Sequence, residues 1–137
     1  MSPILSVLES GLPVLLVHLL ITLVLLGIGA LVYVRITPYR EMELIAKGNT
    51  AAGILLAGTL IALAIPLAAT LATSTVALDI LIWGIVAMIL QLLTFSIATL
   101  VVRHFRDMIE AGNSAAALTL VGVQIAVALL NAGAMAG

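Results

Sequence analysis

Four long apolar segments constrain this chain more than any other feature of its sequence. Each segment has about 23 residues, and an α-helix of that length reaches about 34 Å, enough to cross a hydrocarbon core of about 30 Å once. We therefore predict an all-α, polytopic membrane protein with four transmembrane helices. The segments are Leu12 to Val34, Thr50 to Ala72, Leu78 to Val102 and Ser114 to Ala136.

The composition agrees with a membrane protein and excludes several function classes. Hydrophobic residues make up 64% and charged residues 8% of the chain, against about 45–50% and 25% in soluble domains. A net charge of -1 provides no basic field for nucleic acid. The chain has no cysteine, which excludes disulfides, thiolate metal sites and cysteine nucleophiles. Because no nucleophile stands beside a base, we expect no enzymatic activity, cofactor or metal.

All five basic residues lie in two of the three connections between the segments. By the positive-inside rule, the side that holds them is cytoplasmic. The loops at 35–49 and 103–113 are then cytoplasmic, and both termini lie on the periplasmic or extracellular side. The basic residues are Arg35, Arg40, Lys47, Arg103 and Arg106.

The chain repeats itself at an offset of 64 residues. The sequence GNTAAG begins at Gly48 and GNSAAA begins at Gly112, each just before an apolar segment. Small residues at four-residue spacing follow in both copies, aligning Gly58 with Gly122, and such residues favour close helix packing. Two helices per copy predict tandem parallel hairpins that enter the membrane in the same direction.

The predicted organisation follows from the segments and the repeat. The repeat units are 12–73 and 76–137. Residues 1–49 contain the first transmembrane helix and a cytoplasmic interfacial segment. Residues 50–73 form the second helix and residues 78–102 the third. Residues 103–137 contain the second cytoplasmic loop and the fourth helix.

The first repeated sequence predicts a short helix at the cytoplasmic interface. Thr37 suits its N-cap and Pro38 its first helical position, while Gly48 suits its left-handed end. Asn49 then caps the second transmembrane helix, as Asn113 caps the fourth. The second connection lacks the Thr-Pro start, so its interfacial turn should be shorter. The paired helix N-termini also suit an anion, although each cap serves its own helix end.

Polar residues within the spans are the candidate functional residues, because polar groups are costly in hydrocarbon. Gln91 and Gln124 fall near mid-membrane, while His18, Pro66 and Asn131 fall at similar depths in the outer leaflet. Proline frees a helix carbonyl, which His18 or Asn131 could then bond. These five residues form a candidate polar path for an ion or small solute. The competing interpretation is that they hold helices together, at about 0.6–2 kcal/mol per hydrogen bond.

Two functional hypotheses follow. The first is an oligomeric channel-like or transporter-like element, because four thin helices leave little room for a pore within one chain. The second is a non-conducting membrane scaffold whose interfacial segment, with Arg40 and Lys47, docks a cytoplasmic protein partner. Both place the chain in a lipid bilayer, and the first expects a homo-oligomer.

Several stretches resemble the bacterial membrane family called domain of unknown function 350. They are ITPYREMELIAKGNTAAG, ALAIPLA around Pro66, LDILIWGIVAMILQLL, and GNSAAA with the later LLNAGAM. The resemblance spans nearly the whole chain and is weakest in the first segment. It implies a bacterial inner-membrane protein built from two-helix units, associated with envelope-stress or membrane-remodelling systems. The family supplies no established catalytic residues, and Gly133-Ala134 occupies the place of its typical cysteine.

Overall fold

Six helices account for most of the chain in a computed structural model that describes residues 2–137. Four of them are long and apolar enough to cross a membrane. This confirms the predicted all-α fold with four transmembrane helices. The helices are α1 (Pro3–Ile36), α2 (Glu41–Ala46), α3 (Thr50–Thr73), α4 (Ala77–Val101), α5 (Phe105–Glu110) and α6 (Ser114–Ala136).

Helix α1 begins nine residues before the apolar segment predicted to start at Leu12. Ser2 is its N-cap, because the Ser2 side chain accepts a hydrogen bond from the Leu5 N–H at 3.3 Å. Pro3 follows at the first helical position, where its missing N–H costs nothing. The polar start of α1 therefore extends the helix beyond the ends of its neighbours.

The four long helices pack through glycines. Helices α3 and α6 make the most extensive contact, and a Cβ at Gly58 would lie 2.9 Å from the Val121 Cβ. A Cβ at Gly84 would lie 2.6 Å from Leu25 Cδ1 and 3.2 Å from Leu67 Cδ2. Helix α3 contacts every other helix. It is therefore the central element of the bundle.

The short helices α2 and α5 lie in two connections at the same end of the bundle. These connections and the last turn of α1, which holds Arg35, carry all five basic residues, and we call this end of the bundle the basic end. Both short helices end at a left-handed glycine, Gly48 at φ +84° and Gly112 at φ +80°. After each glycine, the N–H of an asparagine bonds back five residues, from Asn49 to Leu44 and from Asn113 to Met108, both at 2.9 Å. This is the Schellman arrangement, which suits glycine because it has no Cβ.

The start of α2 differs from the sequence prediction. Thr37 does not cap α2: its N–H bonds the Tyr33 carbonyl at 3.1 Å and its hydroxyl donates to the Val34 carbonyl at 2.8 Å, so it ends α1. Thr37 is extended because it precedes Pro38, which disfavours helical backbone in the preceding residue. Helix α2 consequently begins at Glu41.

The second connection, residues 102–113, is one residue shorter than the first, residues 37–49, as the sequence predicts, but the short helix within it is not shorter. Both α2 and α5 have six residues. His104, at φ 58°, turns the chain into α5 without a Thr-Pro start. The length of the short helix is therefore set by its common glycine end rather than by its first residues.

Candidate functional site

Glu41 is a buried carboxylate at the basic end of the bundle. It is 1% exposed, although it belongs to a six-residue helix in the connection between two membrane-spanning helices. The hydroxyl of Tyr33, which is itself 0% exposed, donates a hydrogen bond to Glu41 Oε1 at 2.8 Å. Within residues 2–137, Glu41 Oε2 and the buried Tyr39 hydroxyl have no hydrogen-bond partner. One carboxylate oxygen and one hydroxyl are thus left unpaired together.

Aromatic rings surround this site. The Tyr33 ring packs edge-on against Phe95 of α4, with ring centroids 4.8 Å apart. The Tyr39 ring lies 5.8 Å from Phe105 of α5, and Phe95 lies 6.1 Å from Phe105. Four elements of the fold therefore close the site around Glu41: α1, the connection before α2, α4 and α5.

Glu41 and Glu43 stand two residues apart on α2, yet their environments are opposite. Burial raises the pKa of Glu41 to about 7, although the Tyr33 hydrogen bond acts in the other direction. The hydrogen bond from Lys47 lowers the pKa of the exposed Glu43, with Arg40 assisting. Burial also raises the pKa of Tyr39. Near neutral pH, Glu41 therefore titrates while Glu43 stays charged.

Sequence reasoning missed Glu41, because a charged residue beside other charged residues suggests a solvated face. One signal was present in the repeat. At the offset of 64 residues, Glu41 corresponds to Phe105, a residue type that is usually buried. The same position is 5% exposed in the second copy.

Gln91 and Gln124 lie in the centre of the bundle. Gln91 Nε2 donates to the Gln124 backbone carbonyl at 3.2 Å, which joins α4 to α6. The Gln91 Oε1, Gln124 Nε2 and Thr59 Oγ1 atoms are buried and unpaired among the residues that the structure describes. Each of the three residues lies nine or ten positions from the basic end of its helix, or about 14–15 Å along the helix axis. The glutamines face the interior of one chain, not a surface that copies of the chain would share.

Asn131 borders a cleft at the end of the bundle opposite the basic end. The cleft has a volume of about 470 Å³ and lies between α3, α4 and α6. Asn131 Nδ2 is buried and has no partner within the described part of the chain. The same cleft is lined by the hydroxyl-bearing residues Thr70, Thr73 and Ser74, the carboxylate-bearing Asp79 and the indole-bearing Trp83.

His18 and Pro66 are not at the same depth. Leu25 packs beside Leu67, so the adjacent Pro66 is level with the part of α1 near Leu25. His18 is seven residues nearer the N-terminus, or about 10 Å further from the basic end. Pro66 is buried and its carbonyl accepts a hydrogen bond from the Thr70 hydroxyl at 3.1 Å. Among the five candidate path residues, a hydrogen bond joins Gln91 to Gln124.

The two asparagines differ in their contacts. Asn49 Oδ1 accepts from the Ala52 N–H at 3.0 Å, and Asn113 Oδ1 accepts from the Ala116 N–H at 3.1 Å. In addition, Asn49 Nδ2 donates to the carbonyls of Ile109 and Glu110, at 2.8 and 3.2 Å. Asn49 therefore caps α3 and also fixes the end of α5.

Arg40 and Lys47 are exposed at the surface of the basic end. Their side chains lie 3.5 and 3.3 Å from the Glu43 carboxylate. They line an open cleft of about 470 Å³, which Arg106 and Glu110 also border. The charges of this surface are thus mixed, and its basic groups remain accessible.

Comparisons with known proteins identify the family. The model of the family described as Domain of Unknown Function (DUF350) matches residues 7–135. The chain is 33% identical over 104 residues to the UPF0719 inner membrane protein YjfL of Escherichia coli strain K12, covering 76% of this chain and 79% of the relative. The protein of the same name from Escherichia coli O157:H7 matches at the same identity and coverage. No solved structure matches the chain. This multi-pass inner-membrane protein therefore belongs to the DUF350 family.

Proposed function

We propose that the protein is a channel-like or transporter-like element, without enzymatic activity, that passes an ion or a small solute across the inner membrane. The basic end faces the cytoplasm in this proposal, because basic residues are retained on that side. Both termini and the cleft beside Asn131 then face the periplasm.

A series of unpaired polar atoms through the bundle carries the proposal. They occur at three depths: Glu41 and Tyr39 at the basic end, Thr59, Gln91 and Gln124 near the middle, and Asn131 beside the opposite cleft. Most buried polar groups in proteins have partners, and an unpaired one costs about 1–3 kcal/mol. Polar groups that serve only to join helices would be paired with one another. Unpaired groups at successive depths instead suit water or an ion that passes between them.

We place the path within each bundle, because the glutamines face the interior of one chain. Phe95 and Leu67 belong to two apolar clusters of buried side chains inside the bundle. In this proposal these clusters close the path between the polar levels until the bundle opens. Copies of the chain then associate through other faces. Gly122 of α6 suits such a contact, since a Cβ there would meet no atom within 4 Å.

Flux through proteoliposomes tests this proposal. The purified protein is compared with Gln91→Leu and with Leu93→Ala, a control on the same helix whose side chain is 51% exposed toward lipid. We expect H⁺, Na⁺ or K⁺ flux, or flux of a small solute, that Gln91→Leu abolishes and Leu93→Ala preserves. No flux above that of protein-free liposomes, or equal flux in the wild type and Gln91→Leu, would contradict the proposal.

The scaffold is a second candidate, favoured by the exposed Arg40 and Lys47 beside the cytoplasmic cleft. In this alternative the cleft docks an acidic segment of a cytoplasmic partner. Charge reversal at both residues should then abolish recovery of that partner in pull-downs from membranes, while Gln91→Leu leaves it intact. Unchanged recovery after charge reversal would exclude docking at this cleft.

A further inference from the structure

We propose that Glu41 is the proton-binding residue of this path, and that the ion which the protein moves or couples to is H⁺. The inference rests on the proposed function and names its ion. In the proton-transfer step, the Glu41 carboxylate takes one proton from a hydronium ion in cytoplasmic water, which leaves a water molecule and a neutral carboxylic acid. The acid later releases the proton to another water molecule, and the carboxylate reforms.

The carboxylate is not explained by packing. Phe105, at the corresponding position of the second copy, is also buried, so an apolar ring fits this position of the short helix. The fold therefore accepts an uncharged, apolar side chain at this position. A carboxylate at the same position costs stability when it is ionised, because burial removes its hydration.

No basic side chain compensates the charge of Glu41. Within residues 2–137, the acidic groups that lie within 4 Å of a basic side chain are Glu43, Asp107 and Glu110. The titratable groups that face Glu41 are Tyr33 from α1 and Tyr39 from the connection before α2. The neighbouring apolar cluster takes Leu55 from α3, Phe95 from α4 and Phe105 from α5. A proton is therefore the group that neutralises Glu41.

The surroundings also select H⁺ over larger cations. A metal ion needs several oxygen or nitrogen ligands, and the described residues contain no group of three His, Asp or Glu side chains that could hold one. Glu41 supplies a single carboxylate inside a ring of aromatic side chains. A proton needs only one acceptor atom, and the unpaired Oε2 provides it.

The position of Glu41 connects it to both cytoplasm and bundle. Tyr39, whose unpaired hydroxyl faces this site, also borders the open cleft at the basic end. On the other side, Tyr33 joins Glu41 to Phe95, and Phe95 is one helical turn, or about 6 Å, from Gln91. Glu41 therefore lies between cytoplasmic water and the middle polar level. The proposed path requires a proton acceptor at this position.

Two measurements on the full chain test the inference. In the first, proteoliposomes that contain a pH-sensitive dye receive an imposed pH gradient, and proton flux is followed for the wild type, Glu41→Gln and Glu43→Gln. Glutamine keeps the size of the side chain and an acceptor for the Tyr33 hydroxyl but binds no proton near neutral pH. We expect Glu41→Gln to reduce proton flux to the level of empty liposomes, and Glu43→Gln to leave it unchanged.

In the second, infrared spectroscopy follows the carbonyl band of protonated carboxyl groups as the pH is changed. We expect a band that titrates near pH 7 and is absent in Glu41→Gln. Tyr33→Phe removes a hydrogen bond that favours the carboxylate, so its midpoint should move to higher pH.

The outcomes separate this inference from the proposed function. Proton flux that survives in Glu41→Gln, or a wild type that carries another ion without protons, overturns the inference and leaves the proposed function standing. Absence of flux for every ion and solute overturns the proposed function and the place of Glu41 on a path, while the infrared titration still decides whether Glu41 binds a proton. A wild-type protein with no band that depends on Glu41 overturns the inference by itself.

Discussion

The two connections at the basic end, residues 37–49 and 102–113, correspond in sequence but differ in what they bury. Both contain a six-residue helix and end in the same glycine and asparagine. One buries the carboxylate of Glu41, and the other buries the ring of Phe105 at the matching position. The shared residues build the connection. The residue that differs adds a titratable group that the connection does not need.

Identical residues in the two copies also have different contacts. Gly58 meets Val121 at a tight helix contact, whereas Gly122 faces open space. The Asn49 side chain donates to α5 in addition to capping its own helix, whereas the Asn113 side chain makes only the capping bond within residues 2–137. The reason is position, because α3 lies at the centre of the bundle and α6 contacts fewer elements. The first copy should therefore be more sensitive to substitution.

The largest expected difference is in the pH dependence of stability. Folded Glu41 holds its proton up to about pH 7, whereas in the unfolded chain it titrates near 4.5. The free energy of unfolding is therefore highest below the unfolded value, falls as the pH rises between the two values, and levels off above the folded one. The fall contributed by Glu41 is roughly 3 kcal/mol.

Reversible unfolding in detergent micelles, followed by circular dichroism over this pH range, measures the effect. Glu41→Gln should remove the fall, and Glu43→Gln on the same helix should keep it. The same pH profile in the wild type and in Glu41→Gln would show that the carboxylate is not buried in the folded protein.

The glycine pair should give the next largest difference. Gly58→Ala forces a Cβ against the Val121 side chain and should destabilise the protein by about 1–3 kcal/mol, as overpacking does. Gly122→Ala adds its Cβ to open space and should change the stability of one chain by less than about 0.5 kcal/mol. Unfolding in micelles measures both. Equal losses would mean that both glycines are packed against neighbours, as in an oligomer joined through α6.

The asparagine pair should give a smaller difference. Serine retains a capping oxygen but lacks the amide that bonds the Ile109 and Glu110 carbonyls. Asn49→Ser should therefore cost about 1 kcal/mol more than Asn113→Ser. Hydrogen exchange of the α5 amides, measured in both variants, should rise only in Asn49→Ser. Similar exchange in the two variants would mean that Asn49 does not fix α5.

The exposed ion pairs should give the smallest difference. Lys47→Glu breaks the pair with Glu43, and Arg106→Glu breaks the pair with Glu110, which has an Nε to Oε1 distance of 3.0 Å. Exposed pairs of this kind contribute little to stability, because water screens their attraction, so the two unfolding midpoints should stay close to that of the wild type. A large loss in either variant would indicate that the charged surface is covered by another chain.

The sequence was sufficient for the four spans, because about 23 consecutive apolar residues have few alternatives to a membrane helix. It was not sufficient for the site. Whether the side chain of Glu41 or that of Glu43 points into the bundle depends on the residue at which α2 begins. Because of Thr37 and Pro38, α2 begins only at Glu41. The depth of His18 could not be counted from a helix end either, because Ser2 and Pro3 extend α1 beyond the apolar segment.

The sequence identifies Gln91 and Gln124 as candidates, because polar side chains are costly in hydrocarbon. It does not identify the hydrogen-bond partners of these side chains. Each side chain has several rotamers, and the direction in which it points depends on helix rotation. The close approach of Gly58 to Val121 and of Gly84 to Leu25 sets that rotation in the folded bundle. Such contacts join residues far apart in sequence, and no local pattern determines them.

Water access to Gln91 is the most direct test of the central claim, that the interior of the bundle carries a polar path. The chain has no cysteine, so a single introduced thiol is the only one present. Gln91→Cys lies inside the bundle, and Leu93→Cys lies on the outer surface of the same membrane-spanning helix. With the protein in membranes, a small, water-soluble, thiol-specific reagent should modify Gln91→Cys and not Leu93→Cys. No modification of Gln91→Cys, under conditions where a cysteine at exposed Lys47 reacts fully, would contradict the path.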